Sequence, residues 1–178
     1  FLILYLQFKS APTTLMVFSG IAIAFAGGFI MIWLYGQNWF MDFNFLGTNM
    51  RELFQMKTVN LSIAVWVGFI ALFGIATDNG VVMAAYLKQT FDRRKPEDIA
   101  AIRSSVVEAG KRRIRPTLMT TATTLLALLP ILSSSGRGAD VMIPMAIPTF
   151  GGMAIQVITL FVVPILYSQW REFKFKKA

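Results

Sequence analysis

Hydrophobic residues in this chain run in blocks as long as a membrane crossing. Apolar runs cover residues 13–35, 59–87, 116–135 and 142–168, and residues 1–9 read as the end of a further helix. A bilayer's hydrocarbon needs about 20 helical residues at about 1.5 Å rise each. The pattern therefore predicts an all-α membrane protein, a bundle of transmembrane helices. An aromatic-rich connection at 36–58, a basic connection at 88–115 and a tail at 169–178 complete it. Gly20, Ala24 and Gly28 recur every fourth residue, a stripe along which a neighbouring backbone can approach. Pro116 suits a first helical turn, while Pro130, Pro144, Pro148, Pro164, Gly151 and Gly152 offer kinks and close contacts in the last two spans.

Charge fixes a direction for each span. Of 17 Lys and Arg, nine lie in 88–115, four in the tail, and Lys9 adds one, which leaves Arg51, Lys57 and Arg137 for the other side. The positive-inside rule puts Lys9, the basic connection and the tail in the cytoplasm and 36–58 in the periplasm, and the spans then alternate without conflict. The net charge of +8 is a topology and lipid-surface signal and gives no ground for nucleic-acid binding.

Within the basic connection, KPEDIAAIRSSVVEAGKRR reads as a short amphipathic helix. Pro96 suits its first turn, Glu97 and Asp98 face the positive dipole end, and Lys111, Arg112 and Arg113 follow Gly110. Ile99, Ile102, Val106 and Ala109 share a face, expected to lie on the membrane surface with the cations towards anionic headgroups. On the other side, Trp33, Tyr35 and Trp39 suit an interfacial aromatic belt, and 50–56 suits an interfacial turn of helix. Met41, Met50 and Met56 in that connection read as packing residues rather than a soft-metal site.

Composition narrows the chemistry. Hydrophobic residues make up 56% and charged ones 15%, outside the pattern of soluble domains. The sequence has no Cys and no His, which excludes disulfide scaffolds, thiolate or imidazole metal sites and Ser-His-Asp catalysis. Nothing points to an enzyme or to a resident cofactor. Attention falls on Asp78, the one acidic or basic side chain in 59–87. A carboxylate inside a bilayer costs from about 2.5 kcal/mol upward, so such a group is read as part of an ion or proton pathway. An interhelical hydrogen bond is the structural alternative. Thr117, Thr120, Thr121 and Thr124 follow Pro116 at i, i+3, i+4 and i+7, a hydroxyl stripe able to relay protons or to bond its own helix. Arg115 precedes it, placed either to act on the acid electrostatically or to reach headgroups.

Three strings in order, GFIALFGIATDNGVVM, RRIRPTLMTTATTLLALLPIL and GADVMIPMAIPTFGGMAIQVITLFVVPILY, resemble the last helices of a resistance-nodulation-division efflux transporter, most similar to the heavy-metal branch. The resemblance implies the end of helix eight through helix twelve of a twelve-helix, proton-driven pump in the bacterial inner membrane. Such a pump works as a homotrimer with a periplasmic adaptor and an outer-membrane channel. It implies a proton relay at Asp78 with its neighbour Asn79 and with Arg115, Thr117, Thr120 and Thr124 on the next span. Protons are then the coupling ion and a metal ion the cargo. Copper- and silver-exporting members carry a Lys directly after the Arg-Pro, where this chain has Thr117, which weakens the implied charge triad. A Met near the start of helix twelve belongs to a methionine relay for monovalent copper or silver, and Met142 corresponds to it; thioether softness suits such ions. With no initiating Met, charged n-region or cleavage site at its start, the chain is expected to be the C-terminal part of a longer transporter. Other readings are a same-family exporter of divalent metals or hydrophobic drugs, a proton-conducting subunit, and a structural membrane piece whose Asp78 only pairs helices.

Overall fold

The computed structural model describes residues 2–45, 47–96 and 98–177, with the side chains of Lys176 and Lys177 left aside. Glu97, expected near a helix start, lies outside the described residues. In chain order the elements are α1 (Leu2–Phe8), α2 (Ala11–Tyr35), β1 (Asn44–Phe45), β2 (Thr48–Asn49), α3 (Met50–Leu53), α4 (Ile63–Arg94), α5 (Ile99–Leu132) and α6 (Ala139–Lys177). Helices α2, α4, α5 and α6 are long and apolar enough to cross a membrane. The chain is an all-α membrane protein, with one two-residue antiparallel pairing in its aromatic-rich connection, Asn44 opposite Asn49 and Phe45 opposite Thr48.

Three helices run past the boundaries that hydropathy suggests. Helix α4 begins at Ile63 rather than 59 and continues to Arg94, and α6 carries the basic tail in helical form. The larger correction concerns α5, where the amphipathic segment and the apolar span form one helix of 34 residues. Pro116 sits inside it rather than in a first turn, Pro96 precedes it, and Gly110 is helical. Continuity of the buried face accounts for this. Ile102, Val106 and Ala109 are followed at helical spacing by Thr117 and Thr121, all buried, so the same face is occupied on both sides of the proline. That outweighs the loss of one backbone donor and a proline's cost of about 3 kcal/mol within a helix.

Two helix ends have an identifiable stop. Lys9 and Lys95 have positive φ, 50° and 42°, and donate their N–H groups to Tyr5 O at 2.8 Å and Phe91 O at 2.9 Å. Each is a left-handed cap occupied by lysine instead of the usual glycine. The Asp98 carboxylate accepts from the Ile99 N–H at 2.6 Å where α5 begins.

Contacts divide the chain into two compact units. The first comprises Phe1–Ile23, Ile75–Thr120 and Gln156–Ala178. Its core interleaves Met83, Leu87 and Phe91 of α4 with Ile102, Val106 and Ala109 of α5 and Leu160, Val163 and Tyr167 of α6. The amphipathic face expected on the lipid surface is therefore buried in protein; Ile102 is 3% exposed and Ala109 fully buried. Neighbouring helices remove this apolar stripe from water as well as a bilayer would. Glu108 sits beneath three guanidinium groups, Arg93 and Arg112 at 2.9 Å and Arg94 at 2.5 Å.

The second unit comprises Ala24–Gly74 and Thr121–Ile155. Here α2, α4 and α6 approach at backbone distance. A Cβ added at Gly68 would lie 2.2 Å from Met145 O, one at Gly151 2.1 Å from Met31 Cβ, and one at Gly152 2.8 Å from Ala24 O. The Thr149 hydroxyl bonds both Gly68 O and Met145 O at 3.1 Å, tying α6 to α4. Phe25 and Phe29 of α2 meet Phe69 of α4 with ring centroids 4.7 and 4.8 Å apart. In the connection, Arg51 donates to Gln37 O at 2.5 Å and Asn49 caps α3, the interfacial turn expected there.

Replacing Gly68 with Ala should destabilise the protein by about 1–3 kcal/mol, since the obstructing atom is backbone. Gly74→Ala, with open space around it inside α4, should hold or slightly raise the melting temperature in detergent, where Gly68→Ala lowers it. Glu108→Gln should cost about 1–2 kcal/mol, because three arginines lose a shared partner that is 21% exposed. Its deficit should shrink in high salt, read by thermal unfolding.

Candidate functional site

Asp78 projects from the side of α4 opposite its packed face. At about 100° per residue, Ala76 and Gly80 lie nearly half a turn from it. Ala76 is 3% exposed, and a Cβ at Gly80 would meet Val17 Cγ1 at 2.9 Å, so α2 presses closely against that side. Three residues before Asp78, Gln156 Nε2 of α6 donates to Ile75 O at 3.4 Å. Helix α2 thus packs behind the turn carrying the acid and α6 grips the carbonyl one turn earlier, while Asp78 itself is exposed. Exposed Val67, Ile70, Ala71 and Gly74 precede it at helical spacing, so the acid interrupts an otherwise apolar stripe. Among the described residues the Asp78 carboxylate has no hydrogen-bond or ion-pair partner.

The other residues implicated in a relay are distributed over different faces. Asn79 is half-buried beside the acid. Thr117 of α5 is 2% exposed, and among the described residues its hydroxyl has no partner. Arg115 lies two positions earlier, about 160° away around the helix, and is exposed. Thr120, also exposed, bonds back to Thr117 O at 3.0 Å and Pro116 O at 3.2 Å, the local mode available to a helical threonine. Thr124 is half-buried and belongs to the second unit, with Thr121 buried beside it. Of the four threonines, Thr117 and Thr121 are buried, Thr124 is half-buried and Thr120 is exposed. Asp78 and Arg115 form no ion pair among the described residues.

Met142 occupies the first turn of α6, just after Gly138 with its φ of 93°, and is 42% exposed. Its sulfur is a soft donor open to the surroundings. Among the described residues no three His, Cys, Asp or Glu side chains come together as a hard-ligand cluster, so a cation held at Met142 would rely on thioether chemistry.

Sequence reasoning passed over Thr149 and Gln156, the two polar residues by which α6 grips α4 carbonyls. Their signal was present: they lie seven residues apart on one face of an apolar helix. Gly27 and Gly68 were also missed, since neither belongs to the regular small-residue stripe.

Comparison with known proteins fits this architecture. Residues 53–171 match the model of the AcrB/AcrD/AcrF family. The chain is 34% identical to the cation efflux system protein CusA of Escherichia coli (strain K12) over 181 residues, 94% of this chain and 15% of that protein. It is 32% identical to the cobalt-zinc-cadmium resistance protein CzcA of Cupriavidus metallidurans, covering 94% and 13%. With the putative cation efflux system protein SilA of Salmonella typhimurium it shares 31%, covering 94% and 15%. The chain thus spans about one-seventh of the length of these curated relatives. With its helices, its three motif strings and this match in hand, the chain belongs to the AcrB/AcrD/AcrF family of resistance-nodulation-division efflux transporters, among the heavy-metal cation pumps.

Proposed function

We propose that this chain is the C-terminal membrane part of a proton-driven pump that exports heavy-metal cations, with Asp78 carrying the coupling proton. The observation that supports this reading best is the placement of Asp78: the one charged side chain of 59–87, unpaired among the described residues and exposed on an apolar stripe of a helix that α2 packs against from the other side. A charged carboxylate in such surroundings costs several kcal/mol and a protonated one far less. Gain and loss of the proton would therefore favour different packings of that stripe, and metal movement can be coupled to the difference. Arg115, Thr117, Thr120, Thr124 and Asn79 are the groups on hand to assist the transfer. No covalent step is involved.

Monovalent copper or silver is the proposed cargo, because Met142 supplies a soft donor at an exposed first turn and the chain has no thiol or imidazole. Divalent metal is the second reading, favoured by the 32% identity to a protein named for cobalt, zinc and cadmium resistance. The working assembly is proposed to be a homotrimer in the bacterial inner membrane. It would be joined to a periplasmic adaptor and an outer-membrane channel, with the basic connection and tail in the cytoplasm.

Proteoliposomes of the full-length protein should acidify internally when silver or monovalent copper is supplied, and Asp78→Asn should reduce that flux to background. Melting temperature should be unchanged, because the exposed carboxylate has no partner to lose. Transport by Asp78→Asn at the wild-type rate would refute the relay, and acidification driven by zinc alone would move the cargo to divalent metals.

A further inference from the structure

At the basic end of the first unit an open pocket of about 620 Å³ lies where α4 stops at Arg94 and α6 continues to Lys177. Its lining is mainly cationic in charge: Lys95, Arg171 and Lys174 against a single carboxylate, Asp92. Apolar surface lines it as well, from Phe91, Ile102 and Phe175. Neighbouring acids are already engaged, Glu108 by Arg93, Arg94 and Arg112, and Glu172 by Arg103 at 2.8 Å. Among the described residues Lys95, Arg171 and Lys174 have no ion pair.

Arg171 is set in place before any ligand arrives. Its guanidinium lies 5.0 Å from the Phe91 ring, 5.4 Å from Tyr167 and 5.3 Å from Trp170, and its Nε and Nη2 donate to the Tyr167 hydroxyl at 3.3 and 3.0 Å. That arrangement fixes the side chain yet offers it no counter-charge, and guanidinium donors remain for an anion. Lys174 lies 5.9 Å from the Trp170 ring, at the end of an apolar helix that crosses the bilayer by length and composition. Cations grouped at such a helix end face the level of lipid headgroups.

We propose that this pocket binds an acidic phospholipid, its phosphate held by Arg171, Lys174 and Lys95 and its acyl region against Phe91 and Phe175. Charge complementarity selects an anion, and the apolar part of the lining selects one with a hydrocarbon tail over free phosphate. The site is distinct from Asp78 and independent of the transport reading.

Lipid binding to the full-length protein in detergent, followed by native mass spectrometry, tests this with phosphatidylglycerol, phosphatidylcholine and inorganic phosphate as separate probes. Lys95→Gln with Lys174→Gln removes two exposed charges without touching the core, and should weaken phosphatidylglycerol binding about 30-fold while leaving phosphatidylcholine unaffected. Lys88→Gln with Lys111→Gln makes the same change of charge outside the pocket and should alter binding less than threefold. Equal losses in the two double variants, wild-type affinity in the first, or displacement of the lipid by inorganic phosphate would each overturn the proposal.

Discussion

The contact on which the second unit depends is backbone against backbone. Gly27 and Gly28 of α2, Gly68 of α4, and Gly151 and Gly152 of α6 leave no room for a side chain where these helices meet. Lipid tails are as apolar as a leucine side chain, so apolar surface alone gives membrane helices little reason to associate. Close van der Waals packing and the Thr149 hydrogen bonds supply it instead. The phenylalanines of α2 and α4 fill the space beside this seam.

The first unit solves the same problem with larger side chains and with charge. Its α4, α5 and α6 segments interdigitate Leu, Met, Val, Ile and aromatic residues, and its basic end is organised by few acids serving many cations. Among its described residues, Gly80 is where an added Cβ would be obstructed, by Val17 Cγ1 at 2.9 Å. This places a tightly packed stretch directly behind Asp78. A group whose charge changes has more effect on helix packing when the segment that carries it cannot yield locally, and Gln156 and Gly80 provide that resistance.

Much of the helix order was legible because apolar runs of spanning length have few other physical solutions, and of the small-residue stripe Ala24 and Gly28 lie at a close approach while Gly20 has room for a Cβ 3.8 Å from Thr159. Helix junctions were less legible. Pro116 and Gly110 are local stop signals, but the buried stripe from Ile102 to Thr121 overrides them, and no local rule weighs one against the other. An amphipathic face also looks the same in sequence whether lipid or protein covers it, which is why Ile102, Val106 and Ala109 were placed on a membrane surface they do not contact. Asp78 stood out by its solitude in an apolar run, whereas the faces of Arg115, Thr117 and Thr120 follow from how α5 packs. The motif strings conveyed the family, confirmed by the match over 53–171; they did not convey the cargo.

The proposed working cycle rests on Asp78 exchanging a proton. Infrared difference spectroscopy on the full-length protein in lipid, stepping pH with and without transported metal, reports that event directly through the protonated-carboxyl stretch. A proton-exchanging Asp78 should give a band that rises and falls with pH, shifts when metal is present, and is missing in Asp78→Asn. The same band persisting undiminished in the variant, or one in the wild type that ignores metal, would contradict it.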